Sequence, residues 1–124
     1  MKKSGAILIS AFVIMLLTAT FIHPAKAPAP DPPKGIPDSV WAIVERCCLD
    51  CHVTDGNGFA KAKLNFDKWD VYPAEKQVAK ATAICDIVKK GKMPPQKFLT
   101  NNPDAAPTEA ETARICNWVN QLKK

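Results

Sequence analysis

The chain has 124 residues and a formal net charge of +5, and this length accommodates one domain rather than two. Lys2, Lys3 and Lys26 lie in the N-terminal segment, so the remaining 14 basic residues stand against all 12 acidic ones. No basic run and no interleaving of aromatic and basic residues occurs, and we therefore predict that nucleic acid is not a partner.

Residues 1–23 are predicted to be a signal peptide or an N-terminal membrane anchor. Residues 6–22 carry no charge, and their length lies between a signal-peptide core and a membrane-spanning helix. Ala25-Lys26-Ala27 offers a cleavage site, but a proline directly after the cut disfavours cleavage. We favour a retained anchor with its lysines inside. Both interpretations place the rest of the chain on the periplasmic side, anchored to the inner membrane or soluble after cleavage.

Residues 24–37 contain six prolines, which exclude a helix or an inner strand. We predict an extended linker here, followed by one folded domain at residues 38–124.

Three main helices are predicted in that domain. The first begins near Asp38 or Ser39, either of which can cap it, and presents one apolar face. The second opens at Pro73 and ends at Gly91, and the third begins at a Thr108–Glu111 capping box and runs to about Leu122. Residues 53–63 and 97–107 are predicted to be loops, and no segment has the pattern of a strand. The fold class is therefore all-α.

The motif that points to a bound cofactor is Cys48-Leu49-Asp50-Cys51-His52. C-x-x-C-H is the attachment spacing of c-type haem: the two thiols form thioethers with the vinyl groups, and the histidine becomes an axial iron ligand. We therefore predict one haem c per chain, held by Cys48 and Cys51 and ligated by His52.

Met93 is the predicted second axial ligand. It lies 41 residues after His52, directly before Pro94 and Pro95, which hold the backbone extended so that the thioether can be aimed at the iron. The other methionines are the initiator and a residue of the apolar segment.

Residues 36–122 resemble the haem-binding domain family of small exported bacterial c-type cytochromes. The resemblance rests on the C-x-x-C-H motif and on Met93-Pro94-Pro95, supported by Leu64-Asn65-Phe66-x-x-Trp69 and by the helix at residues 108–118. It implies a small cytochrome c-like all-α domain, covalent haem with His/Met ligation, and a role in electron transfer or haem sensing. Trp41, Phe66, Trp69, Phe98 and Trp118 are candidates for the haem wall or for the ordinary core.

Three cysteines lie outside the attachment pair. Cys85 and Cys116 lie towards the apolar sides of two predicted helices, and in an oxidising compartment they can form a disulfide or stay as buried thiols. Cys47 is interpreted as a buried helix residue, with a redox-active or dimer-forming thiol as the alternative.

We expect a one-electron carrier that is not an enzyme and that meets redox partner proteins, because no catalytic pair accompanies the motif. The alternative is a haem-based sensor or gas-binding module, which requires Met93 to leave the iron. A peroxidase-like enzyme would need a distal Arg or His, and only Arg46 and Arg114 are available as arginines. A zinc site built from Cys47, Cys48, Cys51 and His52 would crowd four ligands into six residues.

Overall fold

A computed structural model describes residues 30–124, and within that range the chain is helical without strands. The prediction of an all-α domain is confirmed. The α-helices are α1 (Asp38–Cys47), α2 (Gly58–Lys63), α3 (Ala74–Lys89), α4 (Gln96–Asn101) and α5 (Glu109–Leu122), with short 3-10 helices at Phe66–Val71 and Pro103–Ala105.

The first helix buries the face that its spacing predicted. Val40, Ile43, Val44 and Cys47 are each at most 7% exposed, as residues at positions i, i+3, i+4 and i+7 should be when one side of a helix meets a core. The predicted side-chain cap is wrong, because α1 already includes Asp38 and begins after Pro37, which has no capping side chain. The Pro37 carbonyl instead accepts bonds from the N–H groups of Val40 and Trp41.

The two longer helices, α3 and α5, pack against each other, and α1 packs on α5. The sequence defines the start of α5 and the end of α3. The predicted capping box of α5 is present, with the Thr108 hydroxyl accepting from Glu111 N–H and the Glu111 carboxylate accepting from Thr108 N–H. After α3, Gly91 adopts a φ of +63°, a conformation that glycine takes at little cost.

Aromatic side chains fill the centre of the domain. Trp69, Phe66 and Trp118 are at most 2% exposed, and the rings of Trp69 and Trp118 lie 5.5 Å apart. The first 3-10 helix positions two of them, and Asn65 caps it by accepting from Asp67 N–H. Each aromatic side chain buries a large apolar area, which matters for the stability of so small a domain.

Two predicted loops contain short helices. Asn57 caps α2 by accepting from the N–H groups of Phe59 and Ala60, and α4 begins after Pro95. Each of these helices has six residues, which is too few for an apolar period to be recognised in the sequence. The loop prediction was therefore wrong for residues 58–63 and 97–101.

The last residues of the predicted linker lie against the domain. Trp41 Nε1 donates to the Pro30 carbonyl at 2.8 Å, Trp118 Nε1 donates to the Gly35 carbonyl at 2.6 Å, and Ile36 is 4% exposed. The predicted signal or anchor segment, residues 1–23, lies outside the described residues. Among residues 30–124, no helix has the length and apolar character needed to cross a membrane.

A disulfide joins Cys85 of α3 to Cys116 of α5 across 31 positions of sequence. Replacing both cysteines with alanine should lower the free energy of unfolding by about 3–4 kcal/mol, because the cross-link reduces the conformational entropy of the unfolded chain. Denaturant titration of haem-loaded protein, in the ferrous state, measures this loss. A disulfide reductant should destabilise the unsubstituted chain and leave the double variant unchanged. Equal sensitivity of both proteins would contradict the assignment.

Candidate functional site

One pocket of about 390 Å³ lies between the end of α1, α2, the Met93 segment and α5. Its lining is mostly apolar and joins segments that are far apart in the sequence. The lining residues are Cys47, Cys48, Asp50, Cys51, His52, Asn57, Phe59, Ala60, Lys63, Val88, Met93, Pro94, Pro95, Phe98, Pro107 and Ile115.

The C-x-x-C-H residues reach this pocket because the chain continues to turn after α1. Cys48 N–H donates to the Val44 carbonyl at 2.8 Å, and the N–H groups of Cys51 and His52 donate to the Cys48 carbonyl at 3.2 and 2.9 Å. This compact turn brings the two thiols and the imidazole to the same wall. The spacing that predicted haem attachment is thus matched by a local conformation that presents the three side chains together.

The imidazole of His52 is held in one orientation by α2. Its Nδ1 lies 3.1 Å from the carbonyl oxygen of Ala60 and 3.1 Å from that of Leu64. Carbonyl oxygens only accept hydrogen bonds, so Nδ1 carries a proton, and in the neutral imidazole Nε2 is then the nitrogen with the free lone pair. Such a bond from the second ring nitrogen is what orients histidines that ligate metals.

Met93 lies in the short segment between α3 and α4, and it lines the same pocket together with Pro94 and Pro95. Pro94 is buried, and Met93 is half-buried. The structure therefore brings the predicted attachment residues and the predicted second axial residue to one pocket, although 41 positions separate His52 from Met93.

Cys47 also lines the pocket, and Arg46 Nη2 lies 3.7 Å from its sulfur. Burial raises the pKa of the Cys47 thiol, and burial, with the neighbouring thiols, raises the pKa of Cys48 to about 12. Both thiols are therefore neutral at pH 7.

Arg46 also contacts both carboxylate oxygens of Glu111 at 2.8 Å, which ties the end of α1 to the start of α5. The Thr108 backbone N–H, followed by Arg46, holds the pKa of Glu111 below its usual value. The carboxylate thus stays charged at neutral pH and serves the helix cap and the ion pair together.

Sequence reasoning missed the contribution of α2. Asn57, Phe59, Ala60 and Lys63 all line the pocket, and the signal that could have shown this was Asn57 as an N-cap two residues before an aromatic. Of the aromatics proposed for the haem wall, Phe98 lines the pocket. Trp41, Phe66, Trp69 and Trp118 belong to the buried core instead.

The donor set of the pocket fits a haem. An unprotonated imidazole nitrogen and a thioether are the axial donors of cytochromes c, and the two thiols have the attachment spacing. Most of the remaining lining is apolar, as a porphyrin requires, with Asp50, Asn57 and Lys63 as the polar exceptions. In residues 30–124, no group of three or more His, Cys, Asp or Glu side chains is arranged to hold a metal ion.

Gly56 lies where the attachment turn meets the loop before α2, and it offers a sharp test of this architecture. A Cβ at this position would lie 2.5 Å from the Cys51 carbonyl oxygen and 2.7 Å from its carbon, so the backbone of the motif would have to shift. Gly56→Ala should cost about 1–3 kcal/mol of stability and reduce haem incorporation. Thermal unfolding and haem content per chain measure the two effects.

The matched control is Gly58→Ala, because a Cβ on Gly58 would meet nothing within 4 Å and its φ is not positive. It should retain haem and match or slightly exceed the stability of the unsubstituted chain. Equal stability and equal haem content in the two variants would contradict this, because the turn would then tolerate a displaced Cys51.

Comparison with known proteins gives a family. No curated protein and no solved structure matches the chain. A family model described as "haem-binding domain" matches residues 58–121, just over half of the chain. The matched range contains α2, Met93 and all of α5 except Leu122, and it begins after the C-x-x-C-H motif, so the match does not depend on that motif. The chain belongs to the haem-binding domain family.

Proposed function

We propose that this haem-binding domain is a c-type cytochrome that carries single electrons outside the cytoplasm. Cys48 and Cys51 would hold one haem covalently, with His52 and Met93 as axial ligands. The observation that carries the proposal is the convergence of all four residues on one pocket with apolar walls. We infer no enzymatic activity, and redox partner proteins would be the physiological partners.

The bound haem would supply a reversible one-electron change at its iron, and the chain would control the surroundings. The Ala60 and Leu64 carbonyls keep the His52 proton on Nδ1 and fix the ring. Val88, Phe98 and Ile115 line the pocket with apolar side chains, which would limit the access of water to a bound haem. The Met93 thioether is a soft, weak donor that favours the reduced state and raises the potential. A fixed His52 ring and apolar walls would keep rearrangement small during electron transfer.

Export is supported by the sequence before the domain and by the cysteines within it. Lys2 and Lys3 precede an uncharged segment of 17 residues, as in signal peptides and N-terminal anchors. The Cys85–Cys116 disulfide suits an oxidising compartment such as the periplasm. We propose that the domain lies on the periplasmic side, attached to the inner membrane or released by cleavage.

The testing experiment is the visible absorption spectrum of protein produced with haem-maturation machinery, oxidised and reduced, with and without carbon monoxide. A low-spin spectrum, a ferric thioether charge-transfer band and no response to carbon monoxide are expected for His52/Met93 ligation. A high-spin spectrum or one sensitive to carbon monoxide would overturn the carrier proposal in favour of a sensor or gas-binding module. Absence of covalent haem after denaturation would overturn attachment by Cys48 and Cys51.

A further inference from the structure

Asn65 is the one buried polar residue in the described part of the chain, and it does not line the pocket. It is 4% exposed, and both ends of its side-chain amide have partners. Oδ1 accepts from Asp67 N–H at 3.0 Å, and Nδ2 donates to the Thr54 hydroxyl at 3.2 Å. Thr54 N–H in turn donates to the Asp67 carboxylate at 2.7 Å, which closes a ring of three residues. Because an unpaired buried amide is costly, these bonds make Asn65 a stable link between two segments.

The two segments that Asn65 links are the loop after His52 and the start of the first 3-10 helix. The neighbours of Asn65 on both sides bond to His52 itself. The Leu64 carbonyl oxygen lies 3.1 Å from Nδ1 of the ring, and Phe66 N–H donates to the His52 carbonyl at 2.8 Å. Residues 64–66 therefore hold the imidazole and the backbone of His52 at the same time, with Asn65 between the two contacts.

The segment that holds His52 is fixed in the aromatic core. Phe66 is 2% exposed and Trp69 is 0% exposed, and their rings stack with centroids 6.0 Å apart. The Tyr72 hydroxyl accepts from the backbone N–H of Asn65 at 3.2 Å. Closely packed interiors leave side chains little freedom to shift, so this segment has one position relative to the core. His52 is consequently positioned from the core side, by residues that do not line the pocket.

We propose that Asn65 positions the axial ligand His52 and thereby sets the reduction potential of the bound haem. This inference rests on the proposed function. The link from Asn65 to Thr54 keeps the imidazole against the Leu64 carbonyl. A hydrogen bond donated by Nδ1 makes the imidazole a more basic ligand, and a more basic ligand favours ferric iron. The Asn65 network thus acts against the Met93 thioether, which favours ferrous iron.

The test compares variants of the full chain, loaded with haem by maturation machinery. Asn65→Ala removes both bonds of the side-chain amide. Thr54→Val removes only the hydroxyl that accepts from Asn65, and Thr54→Ser is its matched control because it keeps that hydroxyl. Thr54 is exposed, so these two changes leave the core packing as it is. Thr108→Ala removes the side-chain cap of α5 and controls for a general loss of stability.

Redox titration gives the ratio of ferrous to ferric protein at a fixed ambient potential. This ratio should rise about tenfold in Asn65→Ala, which corresponds to about 59 mV for one electron. It should rise about threefold in Thr54→Val and stay within about 1.5-fold in Thr54→Ser and Thr108→Ala. Exchange of the His52 Nδ1 proton with solvent, followed by NMR in the ferrous protein, should be faster in the first two variants, because the bond to the carbonyl is weakened.

A lower thermal stability of Asn65→Ala with an unchanged ratio would overturn the proposal, because Asn65 would then only stabilise the fold. Equal ratios in Thr54→Val and Thr54→Ser would overturn it as well, and this pair decides the question if Asn65→Ala takes up too little haem to titrate. Failure of the proposed function is seen separately. It appears as an unchanged spectrum in His52→Ala, before any potentials are compared.

Discussion

Substitution of His52 by alanine is expected to abolish the low-spin spectrum of the haem-loaded protein almost completely. The variant loses the proposed axial nitrogen and also the two contacts of Nδ1 with the Ala60 and Leu64 carbonyls. The iron should then be open on that side and high-spin in the ferric form. Absorption and electron paramagnetic resonance spectra measure the change, and added imidazole should restore part of the low-spin signal.

Asp55→Ala is the control for this variant, because Asp55 is an exposed residue three positions after the histidine. It should keep the low-spin spectrum. An unchanged spectrum in His52→Ala would mean that another residue ligates the iron. The hydrogen bonds of His52 Nδ1 would then not serve to orient an iron ligand.

Substitution of Met93 by alanine is expected to open the opposite axial position. Carbon monoxide should bind the reduced variant, and the reduction potential should fall by on the order of 0.1 V, within the roughly 0.8 V range that axial ligands set. A thioether ligand stabilises ferrous iron, so loss of the proposed Met93 ligand would favour the ferric state. Redox titration and carbon-monoxide difference spectra provide the two measurements.

Gln96→Ala controls for disturbance of this segment, because Gln96 is exposed and begins α4 two residues after Pro94. It should leave the potential and the carbon-monoxide response unchanged. If Met93→Ala behaved in the same way as Gln96→Ala, Met93 would be a wall residue, and the sensor interpretation would gain support from an axial site open in the natural chain.

The sequence determined the elements whose chemistry is local. The apolar period of α1, the capping box of α5 and the glycine after α3 each depend on residues within a few positions of one another, and all three were predictable. The C-x-x-C-H motif and Met93 were candidates for the same reason, since spacing and residue type define what they can bind.

Tertiary structure decided how these parts combine. The six-residue helix α2 has no period of its own, and it is stabilised by an Asn57 cap while it supplies the Ala60 carbonyl that orients His52. The burial of Ile36 and the bond from Trp118 to Gly35, 83 positions away, were likewise hidden in a proline-rich segment that is typical of a linker.

The pocket was also beyond the reach of sequence reasoning. An aromatic residue looks the same in the sequence whether it lines a cofactor site or fills a core. Only the packing of the folded chain places Phe98 in the pocket lining and Trp69 and Trp118 in the core. Local chemistry can be read from neighbouring residues, whereas contacts between distant segments depend on which surfaces the whole chain buries.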